Sequence, residues 1–245
     1  MQDYLATTRF SRLVDVYAKY RYRDYPAKVL DVMFAGLPDP RKLVVADVGA
    51  GTGISSTFIS SRGSKVIAIE PNATMRESAP ENPLVEWRDG TAEATGLSDE
   101  SVDVVATFQS FHWFDAAAAL TEFRRIARHR IMSVQYEHEE SDRASAAFET
   151  LLRAFSIDDS ESLRRHALET FAVQAGGRLR TSILNVDWLL TREELHGYAA
   201  SISFIPHEGP RAEEVRLQLD DLFRRYAVRD AINLPLRLYV LALNR

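Results

Sequence analysis

The sequence of 245 residues contains no cysteine, which excludes disulfide bonds and thiolate chemistry. It also lacks an excess of positive charge, since 30 Lys and Arg residues face 35 Asp and Glu residues. A net charge of −5 gives no general attraction for nucleic acid. No apolar run approaches the length of a membrane span, and the amino-terminal residues lack the apolar stretch of a secretory signal. We therefore expect a soluble, cytoplasmic protein with no nucleic-acid or membrane partner.

Histidine is sparse as well, with six residues scattered along the chain. None has a second histidine at the spacing of a zinc site, so no metal centre is predicted. Apolar residues make up 46% and charged residues 27% of the sequence, as in ordinary globular proteins. The length suits one large α/β domain with room for an inserted cap. Residues 1–245 are therefore predicted to form a single domain.

Glycine is also scarce, at 11 residues, yet three of them stand at alternate positions in one short stretch: Gly49, Gly51 and Gly53. The apolar run Leu43–Ala46 before them predicts a strand buried on both faces of a parallel sheet, and a short helical pattern follows. Glycine suits backbone that takes positive φ or passes close to a ligand. A strand, a glycine-rich turn and a helix N-terminus indicate a nucleotide-type site at the carboxyl edge of an α/β sheet.

The order of residues in this turn separates the possible nucleotide ligands. The dinucleotide fingerprint G-x-G-x-x-G needs a small residue where Ile54 stands, and the turn lacks the lysine of a phosphate-binding loop. Asp47 precedes the first glycine by two residues, where an acid would repel a pyrophosphate and attract an ammonium or sulfonium group. The pattern D-x-G-x-G-x-G resembles motif I of the class I S-adenosylmethionine (SAM) dependent methyltransferases. The resemblance implies that Asp47, the three glycines and Ala50 belong to a SAM site.

A second acid stands at the end of the next predicted strand, Lys65–Glu70. There the carboxylate of Glu70 can accept hydrogen bonds from both hydroxyls of a ribose. Pro71 follows, and Asn72 is placed to cap a short helix in which Met75 faces the sheet. We assign Glu70, Pro71 and Met75 to the cofactor site. Nicotinamide-binding folds carry an acid at the same place, so the glycine order, and not Glu70, separates the two families.

A third acid, Asp89, follows the predicted strand Leu84–Arg88 and precedes Gly90 and Thr91. This arrangement resembles the third motif of the same methyltransferases. The resemblance implies that Asp89 and the neighbouring backbone contact the adenine of SAM. Asp89 is equally suited to cap the turn that Gly90 makes.

The fourth predicted strand, Val102–Phe108, is followed by a polar and aromatic segment that starts at Gln109. The tip of this strand faces the same crevice as the glycine turn, and aromatic faces attract a sulfonium. The segment resembles the Gln-x-x-His-Trp stretch of trans-aconitate methyltransferases and related small-molecule methyltransferases, which implies a cofactor contact for Gln109 and an acceptor contact for Trp113. His112 is either a general base or a residue that hydrogen-bonds the cofactor and orients the loop. A helix is predicted over Ala116–Arg130.

Tyrosine and arginine cluster near the amino terminus. An amphipathic helix whose tyrosines pack on the sheet edge would explain the cluster. Many class I methyltransferases, however, close their site with an amino-terminal segment that begins in this way. The resemblance implies that residues 1–36 form flap helices, with Tyr17 and Arg21 at the cofactor and Tyr20 and Tyr25 at the acceptor.

The later part of the chain is predicted to complete the sheet. The strand Ile131–Glu137 ends near Tyr136 and His138, which are candidate acceptor contacts at the edge of the crevice. Residues 139–181 form amphipathic helices and are predicted to be a helical cap inserted between strands five and six, as is common in doubly wound methyltransferases. The last strand is predicted over Ile232–Leu243.

The resemblance spans nearly the whole chain and implies a doubly wound, Rossmann-like α/β fold. Its seven-stranded sheet would be mostly parallel, with an antiparallel last strand and a helical cap. The implied reaction is in-line transfer of the SAM methyl group to a small-molecule acceptor, with a carboxylate or hydroxyl oxygen favoured over nitrogen or carbon. A carboxylate needs no general base, whereas for a phenol or an amine His112 is the leading base. Alignment and exclusion of water would be the main contributions of the protein.

Two other classes of function remain open from the sequence. A SAM-binding regulatory or partner-activated subunit would keep the cofactor motifs without catalysis. A nicotinamide-dependent oxidoreductase would share the fold, but Ile54 in the glycine turn counts against it. Modification of nucleic acid bases is disfavoured because no Asn/Asp-Pro-Pro-aromatic motif follows the fourth strand. The sequence is compatible with a monomer or a homodimer.

Overall fold

The computed structural model describes residues 13–176 and 179–245. Within these ranges the strands are β1 (Val44–Val48), β2 (Lys65–Ile69), β3 (Val85–Arg88), β4 (Val102–Phe108), β5 (Ala127–His138), β6 (Leu179–Val186), β7 (Leu189–Leu190), β8 (Ile232–Asn233) and β9 (Leu236–Asn244). The helices are α1 (Val14–Tyr20), α2 (Ala27–Phe34), α3 (Ile54–Ser60), α4 (Ala73–Glu77), α5 (Ala116–Ile126), α6 (Arg143–Phe155), α7 (Ser160–Ala175), α8 (Arg192–Ala200) and α9 (Gly209–Tyr226).

The described strands form one large sheet in the order β3-β2-β1-β4-β5-β9-β6, and β7 pairs with β8 separately. The first five strands pair in parallel. β9 lies antiparallel between β5 and β6. The predicted fold is therefore confirmed, including the antiparallel last strand. Because β2 and β4 flank β1 on opposite sides, the carboxyl end of β1 is the topological switch point where ligands of such sheets bind.

Two apolar cores cover the two faces of the sheet, because successive strand residues point to opposite sides. In β4, Val104 faces a core that includes Phe148 of α6 and side chains of α2, α8 and α9. Its neighbour Val105 faces a second core with α5 and Phe171 of α7. The helices α6 and α7 therefore lie on different faces, although both belong to the segment between β5 and β6.

The helix predicted over Ala116–Arg130 is too long, because it ends at Ile126 and the chain continues directly as β5. Arg130 explains why the helical pattern stops early. Its guanidinium group is buried and donates hydrogen bonds of 2.7 to 2.9 Å to the carbonyls of Val32, Met33 and Ala35 at the end of α2. These carbonyls have no partner within their own helix, and only an extended chain at Arg130 reaches them from the sheet.

The last predicted strand, Ile232–Leu243, is divided into β8 and β9 at Leu234 and Pro235. Proline has no N–H to donate to a sheet, and the N–H of Leu234 binds the carbonyl of Trp188 outside the main sheet at 2.9 Å. In residues 13–176 and 179–245, no helix combines the length and the apolar character needed to cross a bilayer.

Candidate active site

The glycine turn after β1 is held close to the tips of two neighbouring strands. Gly49 and Ala50 donate backbone hydrogen bonds of 2.9 and 3.1 Å to the carbonyl of Ile69 at the end of β2. Gly49 has a φ of 71°, and a Cβ added there would lie 2.7 Å from the side chain of Ser110, just beyond β4. Glycine satisfies both requirements, since it takes positive φ freely and has no Cβ.

Glu70 follows β2 and faces this turn. Its Oε2 accepts a hydrogen bond of 3.0 Å from the N–H of Gly51, and its Oε1 accepts one of 3.0 Å from the N–H of Asn72. Burial raises the pKa of Glu70 above its ordinary value, against the effect of these hydrogen bonds. An ionised carboxylate has about four lone-pair sites. Each oxygen of Glu70 therefore has capacity left for a ligand hydroxyl.

A cleft of about 590 Å³, including its open mouth, lies in front of Glu70. We call it the Glu70 cavity. Four of the predicted site residues line this cavity and not the second one described below: Glu70, Pro71, Met75 and Trp113. Sequence reasoning did not assign Asn72, Phe108, Ser110 or Phe114, which also line it.

A second cavity of about 380 Å³, including its open mouth, adjoins the first, and we call it the Arg21 cavity. It is lined by four predicted residues that do not line the Glu70 cavity: Arg21, Tyr25, Ala50 and Tyr136. The two cavities share five lining residues, of which four were predicted: Tyr17, Gly49, Gly51, Phe108 and Gln109. The Arg21 cavity is also lined by four residues that sequence reasoning did not assign to the site: Tyr22, Thr52, Ile54 and Ser55. The shared lining makes the two cavities one continuous cleft around the glycine turn.

Among the described residues, no carboxylate is bound to the positively charged Arg21. Its Nη2 donates to the carbonyl of Ser201 at 2.9 Å, and its guanidinium carbon lies 4.8 Å from the centre of the Tyr17 ring. Its Nε is buried and has no hydrogen-bond partner among the described residues. Burial lowers the pKa of Arg21, but the hydroxyls of Tyr136, Tyr17 and Tyr198 outweigh this and raise it above its ordinary value. The guanidinium group is therefore charged and suited to bind a carboxylate.

Asp47 lies behind the glycine turn and outside the lining of both cavities. Its carboxylate is fully buried and accepts hydrogen bonds of 2.7 and 2.6 Å from the hydroxyls of Ser55 and Ser56. Burial raises its pKa to about 6 in spite of these hydrogen bonds. Gly53 also lies outside the cavities, where an added Cβ would come within 3.0 Å of the Trp87 ring. Both residues therefore shape the turn from behind.

Asp89, Gly90 and Thr91 lie outside the lining of both cavities as well. Asp89 is exposed and stands 3.4 Å from Nη1 of Arg76, which also donates to the backbone carbonyl of Glu70. Thr91 exchanges backbone hydrogen bonds with Ala94. This loop is thus linked to Glu70, at the wall of the Glu70 cavity, through one arginine.

The helix α1 places its residues on two sides. Tyr17 lines both cavities, whereas Tyr20 points to α8 and lies outside both. The hydroxyl of Tyr20 donates to Glu193 at 2.7 Å, and its ring lies so close to Gly197 that an added Cβ there would come within 2.4 Å of it. Tyr20 therefore lies apart from both cavities and holds α1 on α8, and its acceptor contact stays a prediction.

His112 and His138 lie outside the lining of the two cavities but close to Arg21. Burial, and then the charges of Arg164 and Arg21, lower the pKa of each histidine to about 3. Both are neutral at physiological pH. A general base works best with a pKa near the working pH, so this environment suits His112 better to hydrogen bonding than to taking a proton.

Sequence comparisons point to one family. A family model described as a methyltransferase domain matches residues 46–130, which include the glycine turn. An uncharacterized methyltransferase-like protein of Schizosaccharomyces pombe is 28% identical over 81% of this chain and 80% of its own length. An uncharacterized methyltransferase of Mycobacterium tuberculosis is 36% identical over 49% of this chain and 47% of its own length, so that the alignment spans about half of that relative.

Solved structures share the fold. A protein from Anaeromyxobacter dehalogenans classed as a type II methyltransferase has a TM-score of 0.67 at 18% identity, over 91% of this chain and 98% of its own. A methyltransferase assigned to an antibiotic biosynthesis pathway of Anabaena variabilis has a TM-score of 0.62 at 22% identity, over 89% and 98% of the two chains. The narrower resemblance to trans-aconitate methyltransferases stays a prediction. Together with the sheet topology, the domain match, the relatives and the shared fold support a class I SAM-dependent methyltransferase with SAM as its cofactor.

Proposed function

We propose that this protein transfers the methyl group of SAM to an oxygen atom of a small-molecule acceptor. The observation that carries the proposal is the fixed carboxylate of Glu70, which two backbone N–H groups hold at the wall of the cleft beside the glycine turn. A ribose offers the two hydroxyls that the remaining lone pairs can accept. Its position beside Gly51 at the switch point of the sheet supports the same ligand.

The rest of SAM would extend from Glu70 in two directions. Adenine would lie towards Pro71 and Met75, with Asp89, Gly90 and Thr91 at the rim. The methionine part would pass the glycine turn into the Arg21 cavity, where the buried Nε of Arg21 can donate to its carboxylate. Tyr17 and Gln109 line both cavities and are assigned to the junction of the two parts.

Acceptor contacts are assigned to residues near the methyl group: Tyr25, His112, Trp113, Tyr136 and His138. The bound sulfonium supplies an already activated methyl group. The protein then contributes alignment and exclusion of water. Because His112 is neutral with a pKa of about 3, it is a weak base, which favours an acceptor oxygen that is ionised without its help. In this proposal His112 donates or accepts a hydrogen bond and orients the loop.

The domain assignment belongs to the same proposal. Residues 1–36 are assigned as a flap over the site, of which the structure describes the part from Leu13 onward. Residues 139–181 are assigned as the helical cap that shapes the acceptor pocket, with residues 177–178 outside the described ranges. Both segments supply side chains to this region, since Tyr17 of α1 lies against Arg21 and Arg164 of α7 lies near His112.

Titration calorimetry with SAM and with S-adenosylhomocysteine tests the cofactor site. Hydrogen bonds to a charged group contribute about 1.5–3 kcal/mol each, so the Glu70→Ala variant is expected to bind both ligands at least tenfold more weakly. Glu86→Ala is the matched control, because Glu86 lies on the exposed side of β3, where its carboxylate accepts a hydrogen bond from Arg88. Equal affinities for Glu70→Ala and wild type would contradict the assignment of Glu70.

A further inference from the structure

The aromatic segment that follows β4 forms one side of the Glu70 cavity. Trp113 and Phe114 line this cavity, and we call these two residues the aromatic wall. The Phe114 ring reaches the glycine turn, where a Cβ added to Gly49 would lie 3.0 Å from it. The position of the aromatic wall therefore sets the width of the cavity beside the glycine turn.

Two side-chain hydrogen bonds attach this segment to neighbouring parts of the chain. At its start, Oγ of Ser110 donates to the carbonyl of Val48 at the end of β1, at 3.1 Å. At its end, the backbone N–H of Asp115 donates to Oε1 of Glu93 at 2.9 Å. Between these points the N–H groups of the aromatic wall bond to carbonyls of the segment itself. Glu93 therefore fixes the far end of the aromatic wall.

The loop between β3 and β4 holds Glu93 in place. Thr91 and Ala94 exchange two backbone hydrogen bonds of 3.3 Å on either side of it. The buried Thr95 then donates its N–H to Glu122 of α5 at 3.0 Å. The residues assigned to adenine belong to the same loop, so Glu93 connects the place of the cofactor with the aromatic wall.

The helix that begins at this point does not supply the bond to Asp115 itself. Asp115 caps α5, and its carboxylate accepts hydrogen bonds of 3.1 and 3.0 Å from two N–H groups in the first turn. In a capping box the third helical residue also accepts from the N-cap N–H, as Glu194 does from Thr191 in α8. At α5 the third residue is Ala118, which has no side-chain acceptor, and Glu93 takes this role from 22 residues earlier in the chain. A local glutamate would cap the helix but would leave the aromatic wall unattached to the loop.

We propose that Glu93 is a positioning residue that couples cofactor binding to the placement of the aromatic wall. This inference rests on the proposed function. By holding Asp115, Glu93 keeps the aromatic wall in place before the cofactor binds, so that binding does not bear the cost of ordering it. Because the cofactor and Glu93 act on the same loop, a bound cofactor in turn stabilises the aromatic wall.

Two variants separate this role from simple helix capping. Glu93→Ala removes the acceptor, and adding Ala118→Glu to it supplies a glutamate locally and restores the net charge. We expect Glu93→Ala to lower the melting temperature by about 2–4 °C, the usual effect of one lost cap bond in a chain of this size, and the double variant to recover it. By calorimetry, both should bind S-adenosylhomocysteine at least fivefold more weakly than the wild type. Glu93→Gln keeps an acceptor oxygen and should bind within twofold of the wild type.

Fluorine NMR of fluorotryptophan-labelled protein reports on the aromatic wall directly. The chain has three tryptophans, and Trp113→Phe identifies the resonance of Trp113. With S-adenosylhomocysteine bound, the wild type and Glu93→Gln should give one sharp Trp113 line, whereas Glu93→Ala and the double variant should give a line that is broadened or displaced. The exposed Ala118, changed to Glu alone, is the control and should leave both the line and the affinity as in the wild type.

The outcomes separate the two proposals. If S-adenosylhomocysteine does not bind the wild type, the proposed function fails together with the inference. If it binds, and the double variant recovers affinity and the Trp113 line along with the melting temperature, Glu93 only caps α5 and the inference alone is overturned. Wild-type affinity and line shape in Glu93→Ala overturn it as well. The double variant keeps the test decisive if Glu93→Ala alone does not fold.

Discussion

At the scale of single residues, two glycines with the same backbone angle show how the site uses glycine. Gly49 and Gly96 both have a φ of 71°. An added Cβ would meet nothing within 4 Å at Gly96 but would lie 2.7 Å from Ser110 at Gly49. A substitution at Gly96 therefore tests the effect of backbone conformation alone. A substitution at Gly49 tests, in addition, the contact between the glycine turn and the residue just beyond β4.

We expect Gly49→Ala to lower the free energy of unfolding more than Gly96→Ala does. The difference should be about 1–3 kcal/mol, the usual cost of forcing an extra methyl group into a packed site. Urea denaturation of the two variants measures it. Equal losses would show that Ser110 moves aside freely and that the close contact at Gly49 has no energetic weight.

Gln109 is a second residue whose backbone is set by the site. It has a φ of 51°, lines both cavities and donates its N–H to the carbonyl of Val134 at 2.9 Å. The left-handed conformation costs a residue with a Cβ about 1–2 kcal/mol. Strained backbone of this kind persists only where the surrounding structure holds it in place, and it is concentrated at functional sites.

A comparison of Gln109→Gly with Gln109→Ala isolates this strain, because both variants remove the same amide group. We expect the glycine variant to be more stable by about 1 kcal/mol. At the exposed Gln218 in the middle of α9 the order should be reversed, since glycine is about 1 kcal/mol less favourable than alanine within a helix. Denaturant titration of the four proteins checks both signs. The same order at both positions would contradict a strained backbone at Gln109.

At the scale of secondary-structure elements, the contact between α1 and α8 controls one wall of the site. Tyr20 packs on Gly197, Lys19 bonds to Glu193 at 3.1 Å, and Arg21 bonds to the carbonyl of Ser201. On the other side of the same short helix, Tyr17 lines both cavities. The position of α8 therefore fixes where Tyr17 meets the ligand.

Gly197→Ala is expected to displace α1 although alanine is the better helix former, because the new methyl group would overlap the Tyr20 ring. Hydrogen exchange of residues 14–20 should speed up at least tenfold and SAM affinity should fall severalfold. Adding Tyr20→Ala removes the overlap and should restore part of the affinity. Unchanged exchange in Gly197→Ala would mean that α1 is not held by this contact.

At the scale of the whole molecule, the buried histidines couple stability to pH. Burial, followed by the charges of Arg164 and Arg21, lowers the pKa of His138 from 6.5 to about 3. Between these values the unfolded chain binds a proton that the folded chain does not, so the free energy of unfolding falls as the pH falls. Asp47 acts in the opposite direction, since its pKa is raised from 3.8 to about 6 by burial and the folded chain binds the extra proton.

Removing His138 should therefore flatten the dependence of stability on pH. For His138→Gln we expect the slope of unfolding free energy between pH 4 and pH 6 to decrease by up to about 1.4 kcal/mol per pH unit. Denaturation at several pH values measures the slope, with His166→Gln as the exposed control. A slope equal to that of the wild type would show that His138 takes up a proton in the folded state.

The sequence predicts those parts of the site that local patterns determine. The glycine turn, Glu70 at the end of β2 and the capping residue Asn72 follow from glycine order, strand length and side-chain chemistry within a few residues. Local patterns do not show which side of α1 faces the site. Tyr17 and Tyr20 have the same chemistry, and it is the packing of Tyr20 on Gly197 that leaves Tyr17 facing the cavities. The end of α5 likewise depends on Arg130, whose partners lie about 100 residues earlier in the chain. The contacts of His138 with Phe148 and Tyr198 join β5, α6 and α8, so no local pattern could reveal them.

The place of β9 in the sheet has a consequence for how the chain folds during synthesis. β9 lies between β5 and β6 yet follows both along the chain. Until residues 236–244 leave the ribosome, β6 has no partner in the sheet and β5 presents an unpaired apolar edge. Such edges pair readily with other chains, and long-range pairings form slowly. The nascent protein therefore passes through a stage in which most of the cofactor-binding half can be assembled while the sheet is still open, and it is at this stage that a chaperone would protect it from aggregation.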